Sequence, residues 1–358
     1  MADVDLVLEV KKSDWKQTRF VEAPLPALAP GQVLFRVDRF ALTANNVSYA
    51  LAGDMLGYWR FFPCAEGWGR IPVMGFADVI RSAHPAVKEG TRCFGFYPMG
   101  RHLVIQPGAV SAGQIVDAAP HRAGLAPAYA QYLPTTGDPA HAEEREDQIL
   151  LLRGLFMTSF LADDFLAEQG YRGARAVLIS SASSKTAIAL AFQVQQGGRA
   201  RAIGLTSARN AAFVRGLGFY DEVVTYDAIA SLPKQPAVLV DMAGDGAVTA
   251  AVHRHFGDAL AYDCTIGATH WSAPRGDEGL PGPKPEFFFA PAQIVKRSQD
   301  WGSQGLAERI AGAFSKFCDA SDAWLRVVRS HGRESLLRVY QDTLAGRCDP
   351  ADGHVLSL

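Results

Sequence analysis

Cysteine is sparse in this 358-residue chain. Its five thiols, Cys64, Cys93, Cys264, Cys318 and Cys348, stand singly, with no C-x-x-C pair and no histidine at ligand spacing. That pattern supports neither a disulfide framework nor a structural zinc. Long apolar runs are missing too: nothing approaches the roughly 18 to 20 residues that a bilayer-spanning helix needs. The start, Met1-Ala2-Asp3-Val4-Asp5, lacks the basic residues and apolar core of a secretory signal, so a cytosolic location is the expectation. Charge of one sign is also lacking. With 35 basic and 37 acidic residues the net charge is −2, which gives no general attraction to nucleic acid or an acidic membrane. The partner expected is therefore a small molecule.

What is present is a strand, a tight turn and a helix start. Ala176-Val177-Leu178-Ile179 is an apolar run; Ser180, Ser181, Ala182, Ser183, Ser184 and Lys185 follow; then Thr186 opens an alanine-rich stretch. Such a junction aims backbone N–H groups and the positive end of a helix dipole at one spot, a natural seat for phosphate. The length favours two domains, because single cores rarely grow this large.

Residues 1–125 carry short period-two runs broken by Gly and Pro, as in Gly31 to Leu42 and Gly90 to Phe96, which predicts a compact barrel or sandwich. Within them, Thr43 to Gly53 reads as a helical turn with a glycine cap. Next comes an aromatic run, Tyr58, Trp59, Phe61 and Phe62, with Trp68 beyond it. These rings read either as a satellite core or as the wall of a substrate pocket, with Trp59, Phe62 and Trp68 supplying surface.

From residue 126 to 290 the pattern becomes helix and strand in alternation, beginning with a helix over Gln148–Gln169. Buried strands follow at Arg201 to Thr206, Glu222 to Thr225, Ala237 to Asp241 and Ala259 to Thr265, implying a doubly wound parallel sheet. Glu286 to Ala290 reads as a strand and Gly305 to Val328 as a helix. Residues 291–358 are too few for a domain of their own and are expected to rejoin the first. The second strand of the sheet ends in Thr206-Ser207-Ala208-Arg209-Asn210. An NAD site usually has an acidic residue there, whereas Ser207, Arg209 and Asn210 suit a 2′-phosphate, so NADP(H) is preferred. The plainer reading of Arg209 is a solvated charge on the next helix.

The order of these parts resembles the zinc-free quinone oxidoreductase and enoyl reductase branch of the medium-chain dehydrogenase/reductase superfamily. The stretches that carry the likeness are G-x-V-L-F-R-V at Gly31–Val37, E-G-T-R-C-F-G-F at Glu89–Phe96 and F-V-R-G-L-G-F-Y-D-E-V-V-T-Y at Phe213–Tyr226. More narrowly, Asn45-Asn46 and the run from Gly57 to Pro63 look like the DUF2855 family. The resemblance implies an α/β fold: a GroES-like β-barrel domain, an inserted Rossmann domain and a C-terminal return. It also implies hydride transfer to an activated double bond, quinone or carbonyl of a small apolar or aromatic substrate. Alternatives are a lyase or isomerase using NADP transiently, or a non-catalytic NADPH sensor.

The three glycines usual in the family's turn correspond here to Ser181, Ser184 and Ala187. Cofactor contacts are implied along Ser180 to Thr186, at Thr206, Ser207, Arg209 and Asn210, at Ala243 and Gly244, and at Thr265 and Gly267. Thr158, beside Ser159, resembles the position that packs against the nicotinamide. No zinc-ligand pattern of the alcohol dehydrogenase branch appears, so no metal is expected. The proton donor is expected among Tyr58, Tyr49, Asn45 and Asn46, since a phenol can protonate a developing enolate. A homodimer joined through the Rossmann sheet edge is a further implication of the likeness.

Overall fold

The computed structural model describes residues 4–266 and 279–358. It divides into two compact units, Met1–Leu151 with Arg326–Leu358, and Leu152–Leu325.

The first unit is strand-rich. Its elements are β1 (Val4–Lys11), β2 (Asp14–Pro24), β3 (Val33–Leu42), α1 (Ala44–Leu51), β4 (Trp68–Gly69), β5 (Pro72–Ser82), β6 (Arg92–Pro98), β7 (His102–Ile105), β8 (Pro107–Val110), β9 (Ile115–Asp117) and β10 (Gln131–Pro134). Then α2 (Glu146–Glu168) starts within this unit. The β5–β6 hairpin pairs Gly75 with Gly95, and the Gly95 position is dictated by packing: a Cβ there would lie 2.6 Å from the Tyr132 ring. Phe35, Tyr97 and Tyr132 pack ring against ring at 5.3–5.7 Å in the centre of the core.

The second unit is the parallel sheet. It holds β11 (Ala176–Ile179), α3 (Lys185–Gly197), β12 (Arg201–Thr206), α4 (Ala211–Gly216), β13 (Glu222–Thr225), β14 (Ala237–Asp241), α5 (Gly246–Phe256), β15 (Leu260–Thr265), β16 (Glu286–Phe287) and α6 (Ala290–Ser321), which breaks at Gly302. Strand order is β13-β12-β11-β14-β15-β16, with every pair parallel. β11 and β14 are buried at each position. Strands covered by helices on both faces need continuous apolar sequence, and theirs is of that kind. The chain then returns to the first unit as β17 (Arg326–His331), α7 (Arg333–Leu344) and β18 (Asp352–Ser357), with β18 antiparallel to β3 and Leu336, Val339 and Tyr340 in the first core.

The units divide at other places than the expected 125 and 290. Residues 131–134 stay with the first unit because β10 pairs with β6 and β9. Residues 291–325 stay with the second because α6 places Phe314 and Phe317 against Phe156 at 5.4 and 5.2 Å. Three local expectations also need correction. The C-cap of α1 is Ala52, not Gly53, whose N–H bonds the Ala50 carbonyl. The strand expected at Glu286–Ala290 lasts two residues, because Ala290 already opens α6 with a proline in its first turn. The helix expected from Gly305 to Val328 starts at Ala290 and ends at Ser321.

Candidate functional site

The phosphate-seat stretch folds as a strand, a turn and a helix at the carboxyl edge of the parallel sheet, the edge where open α/β sheets bind ligands. Ser181 takes a left-handed conformation, φ 50°. A side chain at such a place costs conformational energy that glycine avoids. The turn is braced from below: Ser181 N–H donates to the Tyr226 hydroxyl at 3.2 Å, Ala182 N–H to the Leu205 carbonyl at 3.0 Å, and the Tyr220 hydroxyl to the Ala182 carbonyl at 2.8 Å. Gly204 permits this approach, since a Cβ on it would lie 2.9 Å from the Tyr220 ring and 3.0 Å from Ala182 Cβ. Ser184 is the N-cap of α3, its Oγ accepting the Ala187 N–H at 3.3 Å. The Thr186 N–H has no intrahelical acceptor, by the geometry of a helix start. Lys185 lies half-buried on that first turn.

Ser180 is fully buried and joins the turn to the end of β14. Its hydroxyl donates to Asp241 Oδ1 at 2.6 Å and accepts from the N–H groups of Met242 and Ala243 at 2.8 and 2.9 Å. Asp241 Oδ1 also accepts from Ala243 and Gly244 N–H, at 2.9 and 3.1 Å, and Gly244 turns at φ 65°. At the end of β12, Thr206 is buried and Arg209 exposed, while Asn210 Nδ2 donates to Ser183 Oγ at 2.9 Å. Residues 206–210 bring no carboxylate to this corner. Small side chains and a helix N-terminus with a lysine in its first turn fit a dinucleotide pyrophosphate, and the corner at Ser207 to Asn210 fits an added 2′-phosphate.

Thr158 and Ser159 lie on α2. The Thr158 hydroxyl donates back to Gly154 O at 3.2 Å; the Ser159 hydroxyl faces Leu155 O at 3.1 Å and Thr186 O at 2.8 Å, so Ser159 rather than Thr158 reaches the first turn of α3. Thr265 ends β15, its carbonyl accepting the Phe288 N–H at 2.9 Å. Gly267 lies outside the described residues.

In the first unit the four proposed proton donors take different parts. Asn46 is buried and committed: its Oδ1 accepts from Thr43 N–H at 2.7 Å and Thr43 Oγ1 at 3.2 Å, and its Nδ2 donates to Pro72 O at 2.9 Å. It therefore holds the start of α1. Asn45 hydrogen-bonds the Tyr49 side chain. Tyr49 and Tyr58 meet edge to face at 5.0 Å in an aromatic cluster with Phe61, Phe62, Phe96 and Tyr129. Burial above all pushes both phenols well above their ordinary range. The Tyr58 hydroxyl lies 3.1 Å from that of Tyr129.

The three rings named for a substrate wall are not brought together. Trp59 is buried in the main core, filling space beside Gly53 and Gly69, where a Cβ would come within 2.2 and 2.4 Å of its indole. Phe62 is buried under the Arg122 guanidinium, 5.0 Å from its ring centre. Trp68, on β4, is half-buried beneath Arg19 at 4.0 Å. Two tyrosine contacts escaped the sequence reading. Tyr226 directly follows β13, so its place at the carboxyl edge of the sheet was inferable from the parallel topology. Tyr129 is 71 residues from Tyr58, and no local spacing connects them.

Among the described residues no group of three or more His, Cys, Asp or Glu is gathered to hold a metal ion, and no helix is long and apolar enough to cross a membrane.

A barrel-like strand-rich unit with an inserted parallel-sheet unit is the architecture of the medium-chain dehydrogenase/reductase fold, GroES-like plus Rossmann. Solved structures share it over their whole length. A Mesorhizobium loti protein assigned as an NADPH:quinone reductase matches with a TM-score of 0.64 at 13% identity, over 99% of each chain. CurA from Vibrio vulnificus, in complex with NADPH, matches with 0.59 at 14%, over 99% of this chain and 98% of that one. A mutant form of enoyl thioester reductase from Candida tropicalis matches with 0.57 at 12%, over all of both chains. No curated protein matches the chain in sequence. The chain belongs to the DUF2855 family, described as a protein of unknown function, whose model matches residues 40–349.

Proposed function

We propose that the protein is an NADP(H)-dependent oxidoreductase of the zinc-free medium-chain type, acting on an activated double bond, quinone or carbonyl of a small apolar or aromatic substrate. The observation that carries this reading is the turn from Ser180 to Lys185: a left-handed Ser181, a capped helix start and the Ser180–Asp241 brace at the carboxyl edge of the parallel sheet. The backbone there keeps the shape of a phosphate cradle although glycine is absent from it. The NADPH held by CurA, which shares the fold, supports the same reading.

In this reading the first turn of α3 and Lys185 hold the pyrophosphate, while Arg209, with Ser207 and Asn210, pairs with the 2′-phosphate. Ala243 and Gly244 turn the chain away from the cradle, and Thr265 stands at the neighbouring strand end. Bound NADPH supplies hydride. In the first unit, burial keeps the phenols of the tyrosine cluster protonated at neutral pH, the form a proton donor requires.

The test has two steps. NADPH at 100 times its Kd should stabilise the protein by about 2.7 kcal/mol, seen as a raised melting temperature; no shift at millimolar NADPH refutes the proposal. NADPH oxidation is then followed against a panel of enones, quinones and aldehydes. Arg209→Ala should weaken NADPH binding by about tenfold and leave NADH binding unchanged, in keeping with one lost charge-assisted bond. Equal loss of both would remove Arg209 from the 2′-phosphate site.

A further inference from the structure

The ends of β11 and β14 are tied together by hydrogen bonds that converge on one buried carboxylate, Asp241. We propose that Asp241, seconded by Ser180, is a positioning residue of the cofactor site. It turns the backbone amides of residues 242–244 inward, so that the β14 turn meets the nicotinamide half with carbonyl oxygens and leaves phosphate to the start of α3. This deepens the NADP(H) reading and rests on it for the identity of the ligand.

Asp241 is 4% exposed and Ser180 fully buried. Asp241 Oδ1 accepts from the Ser180 hydroxyl at 2.6 Å, from Ala243 N–H at 2.9 Å and from Gly244 N–H at 3.1 Å. The Ser180 oxygen accepts from Met242 and Ala243 N–H at 2.8 and 2.9 Å. Chemistry fixes these directions: an amide N–H only donates, and the single hydroxyl proton goes to the carboxylate. Three successive amides are therefore engaged within the network. No peptide among the described residues is cis, and in a trans peptide the carbonyl points opposite to the N–H that follows it. Asp241 shows this directly. While Met242 N–H turns to Ser180, the Asp241 carbonyl accepts Ile266 N–H at 2.9 Å. The carbonyls of Met242 and Ala243 likewise point away from the carboxylate.

The two turns at this edge thus differ in polarity. The turn after β11 ends in a helix start capped by the hydroxyl of Ser184, with Lys185 in its first turn. The turn after β14 keeps its amides inward, and α5 is capped by the Asp245 carboxylate, which accepts Ala247 N–H at 2.9 Å. Amides and a cation suit phosphate, whereas carbonyls and a carboxylate suit hydroxyl and amide donors, the groups that a ribose and a carboxamide offer. An open parallel sheet binds a dinucleotide across the point where strand order reverses, one mononucleotide on each side. Here that point lies between β11 and β14. With the 2′-phosphate corner at the end of β12, the β14 side takes the nicotinamide half.

The test compares three variants of the full-length protein by titration with two probes: NADPH, and adenosine 2′,5′-bisphosphate, which has the adenosine half and no nicotinamide. Asp241→Ala should weaken NADPH binding about tenfold and leave bisphosphate binding unchanged. Asp241→Asn keeps an acceptor at Oδ1, and its amide can donate to Thr249 Oγ1, which lies 3.4 Å from Asp241 Oδ2. It should restore NADPH binding to within about twofold of wild type. Ser180→Ala covers the case in which Asp241→Ala does not fold, because the Ser180 backbone is held separately by its N–H to Val240 O at 3.1 Å. Loss of that hydroxyl should weaken NADPH binding about fivefold and again spare the bisphosphate. Equal weakening of both probes, NADPH binding unchanged in Asp241→Ala, or an Asp241→Asn as weak as Asp241→Ala overturns the proposal. A wild type that binds no NADPH refutes the reductase reading itself, a result that no variant of Asp241 can produce.

Discussion

Ser181 shows in one residue how this chain departs from a glycine-rich turn yet keeps its shape. A left-handed β-carbon costs about 1–2 kcal/mol, and here the Ser181 N–H bond to Tyr226 holds the conformation. Ser181→Gly removes that cost and adds about 0.5–1 kcal/mol of unfolded-chain entropy, so a net gain of roughly 0.5–1 kcal/mol is expected in urea unfolding. Tyr226 itself is raised to about 12, chiefly by burial, so it bonds the turn as a neutral phenol. A second residue gives a pH signature. Burial is the main cause that raises the Asp163 carboxyl to about 6, although the Tyr171 hydroxyl donates to it at 2.6 Å. The native state therefore holds a proton that the unfolded chain has released. Asp163's contribution is fully present below the ordinary carboxylate range, near pH 4, and is lost as pH rises through about 6. Asp163→Asn should remove this loss, so that the variant gains stability relative to wild type on going from pH 4.5 to pH 7.5, read from paired urea curves.

Among the elements, α2 depends most on charge. Its first turn places Glu146 and Asp147, both buried, where a helix N-terminus favours carboxylates. Glu146 accepts from Arg39 on β3 at 2.6 Å, from Arg92 on β6 at 2.7 and 2.8 Å, and from His141 at 3.1 Å; Asp147 pairs with Arg329 on β17 at 2.6 Å. Burial opposes ionisation of Glu146, but the hydrogen bonds from Arg92 and His141 outweigh it and hold the carboxyl below its ordinary value. Glu146→Ala would remove one of the two carboxylates that the half-buried Arg39 and Arg92 share, leaving Asp38 to both, at a cost of about 2 kcal/mol. Chemical denaturation should show it as a lower midpoint with an unchanged slope.

For the whole molecule, the two units each have their own hydrophobic core, and the proposed cofactor contacts fall in the second. Hydrogen exchange with and without NADPH should therefore slow most in segments 180–187, 206–210 and 241–244, because a ligand that binds only the native state suppresses its local opening. Protection confined to the first unit would contradict the assignment of the turn.

Much of this was legible in the amino-acid sequence. Apolar runs such as Val177–Ile179 and Val238–Val240, separated by helical periodicity, define a parallel sheet because period and burial are local properties that neighbouring residues record. The strand-to-helix turn was legible for the same reason. Other features needed the tertiary structure. The aromatic run left open whether Trp59 and Phe62 pack in a core or line a pocket, and the fold buries both in cores, because an aromatic run carries no mark of which side its neighbours occupy. The unit boundaries shifted because β10 and α6 are assigned by their distant partners, not by their own composition. Tyr129 meets Tyr58, and Tyr226 meets Ser181, only through folding. The sequence by itself determined the elements and their order; the structure alone decided which polar groups meet, because hydrogen bonds between residues tens of positions apart depend on a packing that no local pattern encodes.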